Sequence, residues 1–340
     1  MIKKFFAAVL CLTVLCFAGC NETPNNPVDD IESTPPEPIL YANPLTGVEE
    51  IEDENVLNRR PVAVMINNMS VAQKVQTGLN QADIVYETEV EGGITRLLAV
   101  FKDISRVEQF GTVRSARYAY VDLAMGHDAI YVHHGLDKVY CKPHLKDTQA
   151  FTLDTNNAGK RVKNGLASEH TLYGDGAKLW NHFENKTKFD LDLDKVKNWQ
   201  NFATADKTVA FENVANNVNV PFSNSYKSVF KYDTEKGKYV RYFKNTLRED
   251  YLTGESEYFE NVFVLITSIT DYPDGYHRKI DLTSGEGWYC VNGTYMPILW
   301  SKGASSNSFK FTDLNGQTLE VSRGNSWVCI AKKGTNVTFE

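Results

Sequence analysis

The first segment whose hydrophobic pattern predicts a β-strand begins at residue 61. Residues 61–66 form an apolar run that opens on a proline, which indicates a buried strand. Residues 83–90 alternate between apolar and acidic positions, which predicts a strand with one face in water. Gly92-Gly93 predicts a turn, and residues 94–101 form a second strand. This region is therefore predicted to be an antiparallel hairpin.

Helical and short apolar segments follow this hairpin. Residues 115–125 fit a helix with Ser115 as its N-cap, and residues 129–132 fit a short core strand. Residues 175–185 predict another helix, because their large apolar side chains fall on one side.

Beyond residue 215 the pattern changes to strand after strand with tight turns. Two Asn-Gly pairs, Asn292-Gly293 and Asn315-Gly316, separate runs of alternating polarity. Asn-Gly between such runs is the strongest short-range hairpin signal, because both residues tolerate positive φ. These segments predict antiparallel hairpins.

Together the patterns predict an α+β fold in two parts. Residues 59–212 form a mixed α+β domain, and residues 216–335 form a β-rich antiparallel domain. No repeat of fixed period is visible, which argues against a solenoid or a propeller.

The first twenty residues have the organisation of a bacterial secretory signal. Lys3 and Lys4 precede an apolar run that is short of the roughly 20 residues needed to cross a bilayer, so an uncleaved membrane anchor is the weaker alternative. Ala18-Gly19-Cys20 resembles a lipobox, in which the cysteine becomes the lipidated N-terminus; Phe17 departs from the more usual Leu. We expect a lipid anchor, with palmitate, on Cys20 and a protein on the extracytoplasmic face of the cell membrane.

Residues 21–58 predict a disordered tether. They hold ten Asp or Glu, no Lys or Arg, and six of the eleven prolines, so they cannot bury enough apolar surface to order themselves. Residues 43–47, at the end of this stretch, can already be a turn of the folded body. The net charge of -7 comes from the acidic residues of the tether, and the remaining chain is nearly neutral. No nucleic-acid partner is therefore expected.

Three cysteines remain beyond Cys20. Cys290 and Cys329 lie in strand-like runs and can form a disulfide if they are neighbours. The alternative is that both, with Cys141, are buried free thiols.

Three sequence blocks carry a family resemblance. They are RPVAVMINNMSVAQKVQTGLNQADIVYETEVEGGITRLLAVFKD at residues 60–103, QFGTVRSARYAYVDLAMGHDAIYVHHG at 109–135, and EHTLYGDG at 169–176. The blocks resemble the YerB-type family of bacterial lipoproteins, whose domains have no characterised function, and residues 298–328 are similar to a lesser degree. The resemblance implies an envelope lipoprotein and supplies no catalytic residues. His134-Gly135-Leu136 stands where the family tends to have Ala-Gly-Gly, which puts a glycine-dependent backbone contact in doubt.

Polar residues within these blocks predict a site for an anionic ligand. Guanidinium groups match the oxygens of phosphate or carboxylate bidentately, and two of the arginines flank a predicted helix start. The candidate ligand-binding residues are Arg96, Arg114, Arg117, Glu91, His170 and Tyr173.

Acidic residues near these arginines allow two interpretations. Asp83, Glu87 and Glu91 can hold a divalent cation that bridges a phosphorylated ligand. Alternatively, the arginines and carboxylates pair with one another as part of the scaffold. No recognised motif predicts a metal or another cofactor.

Catalytic motifs are absent or only mimicked. Cys141 and His144 have zinc-like spacing without a second ligand pair. Ser228 and Lys231 match the S-x-x-K pattern, but in an alternating run they face opposite ways. His133 and His134 are likewise adjacent on a strand and cannot enter one site. The sequence contains no P-loop, H-E-x-x-H, G-x-S-x-G or dinucleotide fingerprint.

Two functions follow from these observations. We expect a non-catalytic envelope lipoprotein that binds a protein or a cell-wall component. The alternative is an envelope enzyme or carrier that acts on a phosphorylated or carboxylated cell-wall polymer precursor through Arg96, Arg114 and Arg117, with assistance from a metal.

Overall fold

The computed structural model describes residues 38–155, 159–186 and 189–340. The predicted signal sequence, with Cys20, and residues 21–37 of the predicted tether lie outside the described residues. Ile39–Glu340 forms one compact unit.

Strands dominate the described chain. The first group is β1 (Tyr41–Ala42), β2 (Glu49–Ile51), β3 (Val62–Asn67), β4 (Ile84–Glu89), β5 (Thr95–Phe101), β6 (Phe110–Gly111), β7 (Ile130–His133), β8 (Thr152–Asp154), β9 (Gly159–Arg161), β10 (Leu172–Gly174) and β11 (Asn201–Phe202). The second group is β12 (Asn213–Val214), β13 (Asn217–Pro221), β14 (Lys227–Asp233), β15 (Lys238–Phe243), β16 (Thr246–Leu247), β17 (Tyr258–Phe259), β18 (Asn261–Thr267), β19 (Ile269–Asp271), β20 (Arg278–Ile280), β21 (Ser284–Val291), β22 (Thr294–Ser301), β23 (Lys310–Thr312), β24 (Glu320–Val321), β25 (Ser326–Lys332) and β26 (Thr338–Phe339).

The helices are few and short. They are α1 (Asn55–Asn58), α2 (Tyr118–Met125), α3 (Cys141–Thr148) and α4 (Gly176–Glu184). The combination of many strands with these helices confirms the predicted α+β class.

One large sheet organises the molecule. Its strand order is β12-β22-β21-β18-β25-β4-β5-β3-β7-β8, with β23 beside β22. β25 pairs in parallel with β18 on one side and with β4 on the other. Strands from the predicted domains at 59–212 and 216–335 therefore share a single sheet, and the boundary between the two domains stays a prediction.

Both faces of the large sheet are covered. On one face, Val85 belongs to a hydrophobic cluster with residues of a second sheet, ordered β16-β15-β14-β13-β26 with β17 beside β15, and of α4. On the other face, Ile84 and Tyr86 belong to a cluster with residues of α2 and α3. The prediction that β4 has one face in water is wrong, because β4 lies in the middle of this sheet and its acidic residues, Glu87 and Glu89, are buried.

Helix α2 begins later than its sequence predicts. Ser115 does not cap it: the chain stays extended through Arg117, and the helix starts at Tyr118. The backbone of the preceding segment is occupied by bridges to other strands, since the Arg114 amide donates to Met65 O at 2.9 Å and the Ala116 amide donates to Gly135 O at 3.0 Å.

Residues 39–58 belong to the folded body, so the prediction of a tether up to residue 58 is wrong for this stretch. Leu45, Ile51 and Val56 are buried, and β1 pairs with β2. The Asn43 side-chain amide also donates to Asp83 Oδ1 at 2.7 Å. The acidic composition conceals three apolar side chains that are spaced to reach the core.

Of the two Asn-Gly pairs, one forms the predicted hairpin and the other does not. Asn292-Gly293 joins β21 to β22 as predicted, with φ of 50° and 70° at the two residues. After Asn315-Gly316 the chain makes only an isolated antiparallel bridge, Thr312 with Thr318, before β24 pairs in parallel with β11.

All three described cysteines are free and buried. Cys290 and Cys329 lie on β21 and β25, on opposite sides of β18. Two strand spacings separate them by roughly 9 Å or more, which exceeds the reach of a disulfide.

A buried polar network joins the two sheets. Arg241 donates through one terminal nitrogen to Glu257 Oε2 at 2.8 Å and through the other to Asn68 Oδ1 at 3.2 Å. Its guanidinium carbon lies 4.3 Å from the centre of the Trp327 ring, a cation–π contact in the core. These groups tie β15 of the second sheet to β25 of the large sheet.

The carboxylate of Glu87 lies at the centre of this network. Its Oε1 accepts from Asn68 at 3.0 Å and from Thr95 at 2.8 Å, and its Oε2 accepts from Ser228 at 2.7 Å and from the Trp327 indole at 3.2 Å. Burial raises the pKa of Glu87, whereas the charge of Arg241 and the hydrogen bonds act to lower it. Ser228 is thus a structural hydroxyl.

Leu45→Ala tests whether residues 39–58 pack on the body. We expect a loss of about 2–5 kcal/mol in the free energy of unfolding, because the truncation leaves a cavity. Urea denaturation measures this loss. Leu40→Ala, at an exposed position, is the matched control and should change stability by less than about 0.5 kcal/mol. Equal effects of the two substitutions would contradict the packing.

Arg241→Met tests the network between the sheets. It should destabilise the protein by about 3–5 kcal/mol, because Glu257 is left charged and unpaired in the core. Arg106→Met removes an exposed partner of Glu52 and should cost about 1 kcal/mol or less. If the two variants unfold at the same urea concentration, the network does not hold the sheets together.

Candidate anion-binding site

Four arginines form a cluster beside the start of α2. Arg96 lies in β5, Arg114 and Arg117 lie in the extended segment before α2, and Arg161 ends β9. Burial, with the charges of Arg117 and Arg114, lowers the pKa of Arg96 to about 10. Burial lowers the pKa of Arg114, and the charges of Arg117 and Arg161 act in the same direction against the charge of Glu169. We refer to these four residues as the arginine cluster.

Extended backbone fixes the directions of these arginines. The segment before α2 bridges β3 through Val113 and Ile66, and Ala116 bridges Leu136 in parallel. Arg96 then donates from NH1 to Ser115 O at 2.5 Å, which fastens β5 to the same segment. The three arginines predicted from the sequence are therefore held by paired strands.

The arginine cluster runs from a buried floor to an exposed rim. Arg96 is 5% exposed, Arg114 and Arg117 are half-buried, and Arg161 is exposed. A ligand from solvent can therefore reach Arg161 and Arg114 first, with Arg96 beneath them.

Carboxylates lie near part of this positive charge, but only one direct ion pair with the cluster forms within the described chain. Within the described chain, Arg117 is the member of the cluster that forms an ion pair, with its Nε 2.5 Å from Glu91 Oε1. Arg114 donates from NH1 to the backbone oxygen of Glu169 at 3.2 Å, and its buried Nε has no hydrogen-bond partner among the described residues. The alternative in which arginines and carboxylates pair with one another as part of the scaffold thus describes Arg117 and Glu91 but not the other three arginines.

His170 lies on the buried side of the site, whereas Tyr173, on β10, borders a cleft outside the arginine cluster. The Asn67 side-chain amide donates to His170 Nδ1 at 2.8 Å, and His170 Nε2 lies 3.3 Å from Glu169 Oε1. Burial lowers the pKa of His170, and Arg114 acts in the same direction against Glu169. Tyr173 is buried and donates to Val75 O at 2.9 Å, so its hydroxyl serves internal packing.

Arg161 and His134 were not among the residues predicted for the site. Arg161 donates to Ser168 O and lies 3.1 Å from His134 Nε2 through its NH2 group. The neighbouring histidine, His133, points inward and bonds Gly135 O at 2.8 Å and Thr152 Oγ1 at 2.7 Å. Alternation predicted the opposite directions of the two histidines, but nothing in the local sequence distinguishes Arg161 from an ordinary surface arginine.

Asp83, Glu87 and Glu91 do not form a metal site. Each lies four positions along the chain from the next, which is roughly 13 Å in extended backbone. Asp83 bonds Asn43, Glu87 lies in the core network, and Glu91 pairs with Arg117. Among the described residues, no cluster of three or more His, Cys, Asp or Glu side chains can hold a metal ion. Of the two interpretations of these carboxylates, the one in which they hold a cation is therefore wrong.

Cys141 and His144 do not form a reactive pair. Burial, with the charge of Asp137, raises the pKa of Cys141 to about 12, so the thiol stays protonated. His144 Nε2 lies 2.6 Å from Asp122 Oδ1, and its ring stacks on Tyr118.

The larger clefts of the molecule lie away from Arg96, Arg114 and Arg117. One of about 720 Å³ borders Lys160, Tyr173 and α4. Another of about 490 Å³ borders Glu50 and Asp83. The arginine cluster is thus a surface site, which suits an extended ligand better than an enclosed small molecule.

Family comparison identifies the class of protein. Residues 45–190 match the N-terminal domain, and residues 218–328 the C-terminal domain, of the protein of unknown function DUF3048. The chain belongs to this family, as its three sequence blocks predict.

A Bacillus subtilis protein shares both sequence and fold with this chain. Putative lipoprotein YerB of strain 168 is 29% identical over 329 residues, which cover 88% of this chain and 90% of YerB. The crystal structure of the YerB protein has a TM-score of 0.74 and 28% identity, and the match covers 86% of this chain and 96% of that chain. Over the part of the chain that the structure describes, no helix is long and apolar enough to cross a membrane.

Proposed function

We propose that this protein is a lipid-anchored envelope protein that binds an anionic cell-wall component at the arginine cluster without converting it chemically. The observation that carries the proposal is that three of the four guanidinium groups lie together without an ion-pair partner among the described residues. Such a cluster holds like charges that repel one another. A bound anion relieves that repulsion.

The ligand is expected to present phosphate or carboxylate groups. Guanidinium groups donate two parallel hydrogen bonds to such anions, and this pairing is stronger than a neutral hydrogen bond. The exposed Arg161 and half-buried Arg114 are accessible, and the buried Nε of Arg114 is a donor still without a partner among the described residues.

A polymer fits this surface better than an isolated small molecule. The cluster extends from β9 to the start of α2 and does not line the larger clefts. Repeated negative charges along a polymer can engage several arginines at once, which raises the apparent affinity.

Binding without catalysis has more support than the enzymatic alternative. Cys141 is buried with a raised pKa, and Ser228 is buried with its hydroxyl on Glu87. His170 has a lowered pKa, but its Nδ1 is occupied by Asn67. A nucleophile and a base would have to come close together beside the ligand, and these groups do not.

Arg114→Ala tests the anion site. Phosphate added at constant ionic strength should raise the melting temperature of the native protein by about 2 °C or more, because it binds the folded state. Arg114→Ala should abolish this rise and cost little stability in phosphate-free buffer. Arg106→Ala, which removes an exposed arginine elsewhere, is the control and should keep the full response.

The opposite result would show that Arg114 has a structural role and does not bind a ligand. A loss of about 3–5 kcal/mol that phosphate does not change would mean that the arginine holds a buried carboxylate in place. No phosphate response in the native protein would also contradict the anion site.

Cys20→Ala tests the lipid anchor. Lipid attachment requires the thiol of Cys20, so the variant should remain unprocessed at this position and take up no lipid. Metabolic labelling with a palmitate analogue, followed by membrane fractionation, measures both effects. Cys141→Ala is the control and should label like the native protein. Equal label in Cys20→Ala would end the lipoprotein assignment.

A further inference from the structure

We propose that the hairpin β19–β20 is a lid over the Arg117 end of the arginine cluster and that His277 is its pH-sensitive latch. This inference rests on the proposed function and names a way to regulate the same site. β19 and β20 form a two-stranded sheet of their own, outside the large sheet. The hairpin follows β18 directly, and its tip contacts the residues around the start of α2 and α3.

The lid closes tightly over the Arg117–Glu91 ion pair. The space beneath it is lined by Arg117, Glu91, Tyr118, Tyr272 and His277 and has a volume of about 10 Å³. That volume is at most about one water molecule. An anion can therefore approach Arg117 from this side only if the hairpin moves.

Stacked aromatic rings hold the tip against the body. Tyr272 of the hairpin stacks on Tyr140 with ring centres 3.9 Å apart, and it also lies 6.0 Å from Tyr118. This contact is small and half-exposed, whereas strand pairing in the large sheet is extensive. A hairpin held by a few rings can open without unfolding the core.

His277 adds a polar latch to these rings. Its Nδ1 lies 2.6 Å from Asp274 Oδ2 on the hairpin itself. Its Nε2 lies 3.2 Å from Asp137 Oδ1 before α3 and 3.9 Å from Glu91 Oε1 after β4. One imidazole thus faces a carboxylate on its own element and one on each of two elements of the body.

Two of these carboxylates remain charged as the pH falls. Burial acts to raise the pKa of Asp137, but hydrogen bonds from the amides of the α3 start, with the nearby His277, hold it below its ordinary value. The hydrogen bond from His277, with those from the Tyr276 and His277 amides, lowers the pKa of Asp274 to about 2. Both groups are therefore anionic throughout the range in which histidine ordinarily titrates.

The other ionisable groups around His277 do not reverse this effect. From the body, Tyr140 contacts the His277 ring at its edge, and Arg117 is already paired with Glu91. On the hairpin, Tyr276 contacts the ring and Arg278 pairs with Asp271, with Glu89 at 3.9 Å. A proton on His277 therefore gains attraction to Asp137 of the body, and acid tightens the latch. The attraction to Asp274, on the hairpin itself, does not depend on whether the hairpin is closed.

Hydrogen exchange of the hairpin amides tests the latch without any ligand. After correction for intrinsic rates, protection of the amides of residues 272 and 274–277 should be higher at pH 5.5 than at pH 7.5. His277→Gln keeps a hydrogen-bonding side chain but cannot gain charge, so its protection should not depend on pH. His182→Gln on α4 is the control and should behave like the native protein. If native and His277→Gln proteins show the same pH dependence, or native protein shows none, the latch is overturned.

Sulfate binding tests whether the latch regulates the site. Sulfate keeps its charge between pH 5.5 and 7.5, so weaker binding at pH 5.5 in the native protein, lost in His277→Gln, supports the lid. Equal sulfate affinity at both pH values would overturn its role over the arginine cluster. If sulfate binds none of the variants at either pH, the result counts against the proposed anion site. The hydrogen-exchange experiment would then still decide whether the hairpin is a latched lid.

Discussion

The insertion of β25 between β18 and β4 is the constraint on which the rest of the structure depends. Trp327 on this strand donates its indole N–H to Glu87 and presents its ring to the Arg241 guanidinium. The same ring contacts Phe230 and Phe259 of the second sheet. One side chain therefore donates to a buried carboxyl group, stabilises a buried cation and packs the two sheets together, where polar groups without partners would be costly.

The surface site inherits its geometry from this core. β4, which pairs with β25, leads directly to Glu91, and β5, which pairs with β4, carries Arg96. β18, the other neighbour of β25, leads into the hairpin β19–β20. The arginines on one side and the hairpin on the other thus extend from strands that one central strand holds in register. A site supported by paired strands needs little reorganisation when it binds.

Local sequence signals predicted the features that depend on residues close together in the chain. Alternation and turn residues predicted the β4–β5 pair and the Asn292-Gly293 hairpin. The family blocks pointed to Arg96, Arg114 and Arg117 as one site, and these arginines lie close enough to affect one another's pKa. Long-range pairing was beyond such signals. Glu87 looked like a residue on a wet face because its partners, Ser228 and Trp327, are far along the chain. Ile51 looked like part of a tether because Glu49, Glu50, Glu52 and Asp53 surround it, and the residues next to Arg161 do not distinguish it from an ordinary surface arginine.

The position of β25 along the chain also makes the middle of the sheet depend on pairing between distant segments. Ile330 pairs with Thr88 across 242 positions, so the middle of the sheet is completed by a segment made long after its neighbours. Until then β4 presents an open edge with unmet hydrogen bonds, a template for pairing with other chains. Such distant parallel pairing is slow to form, so the protein is expected to depend on protection from aggregation during its biogenesis more than its stable folded state suggests.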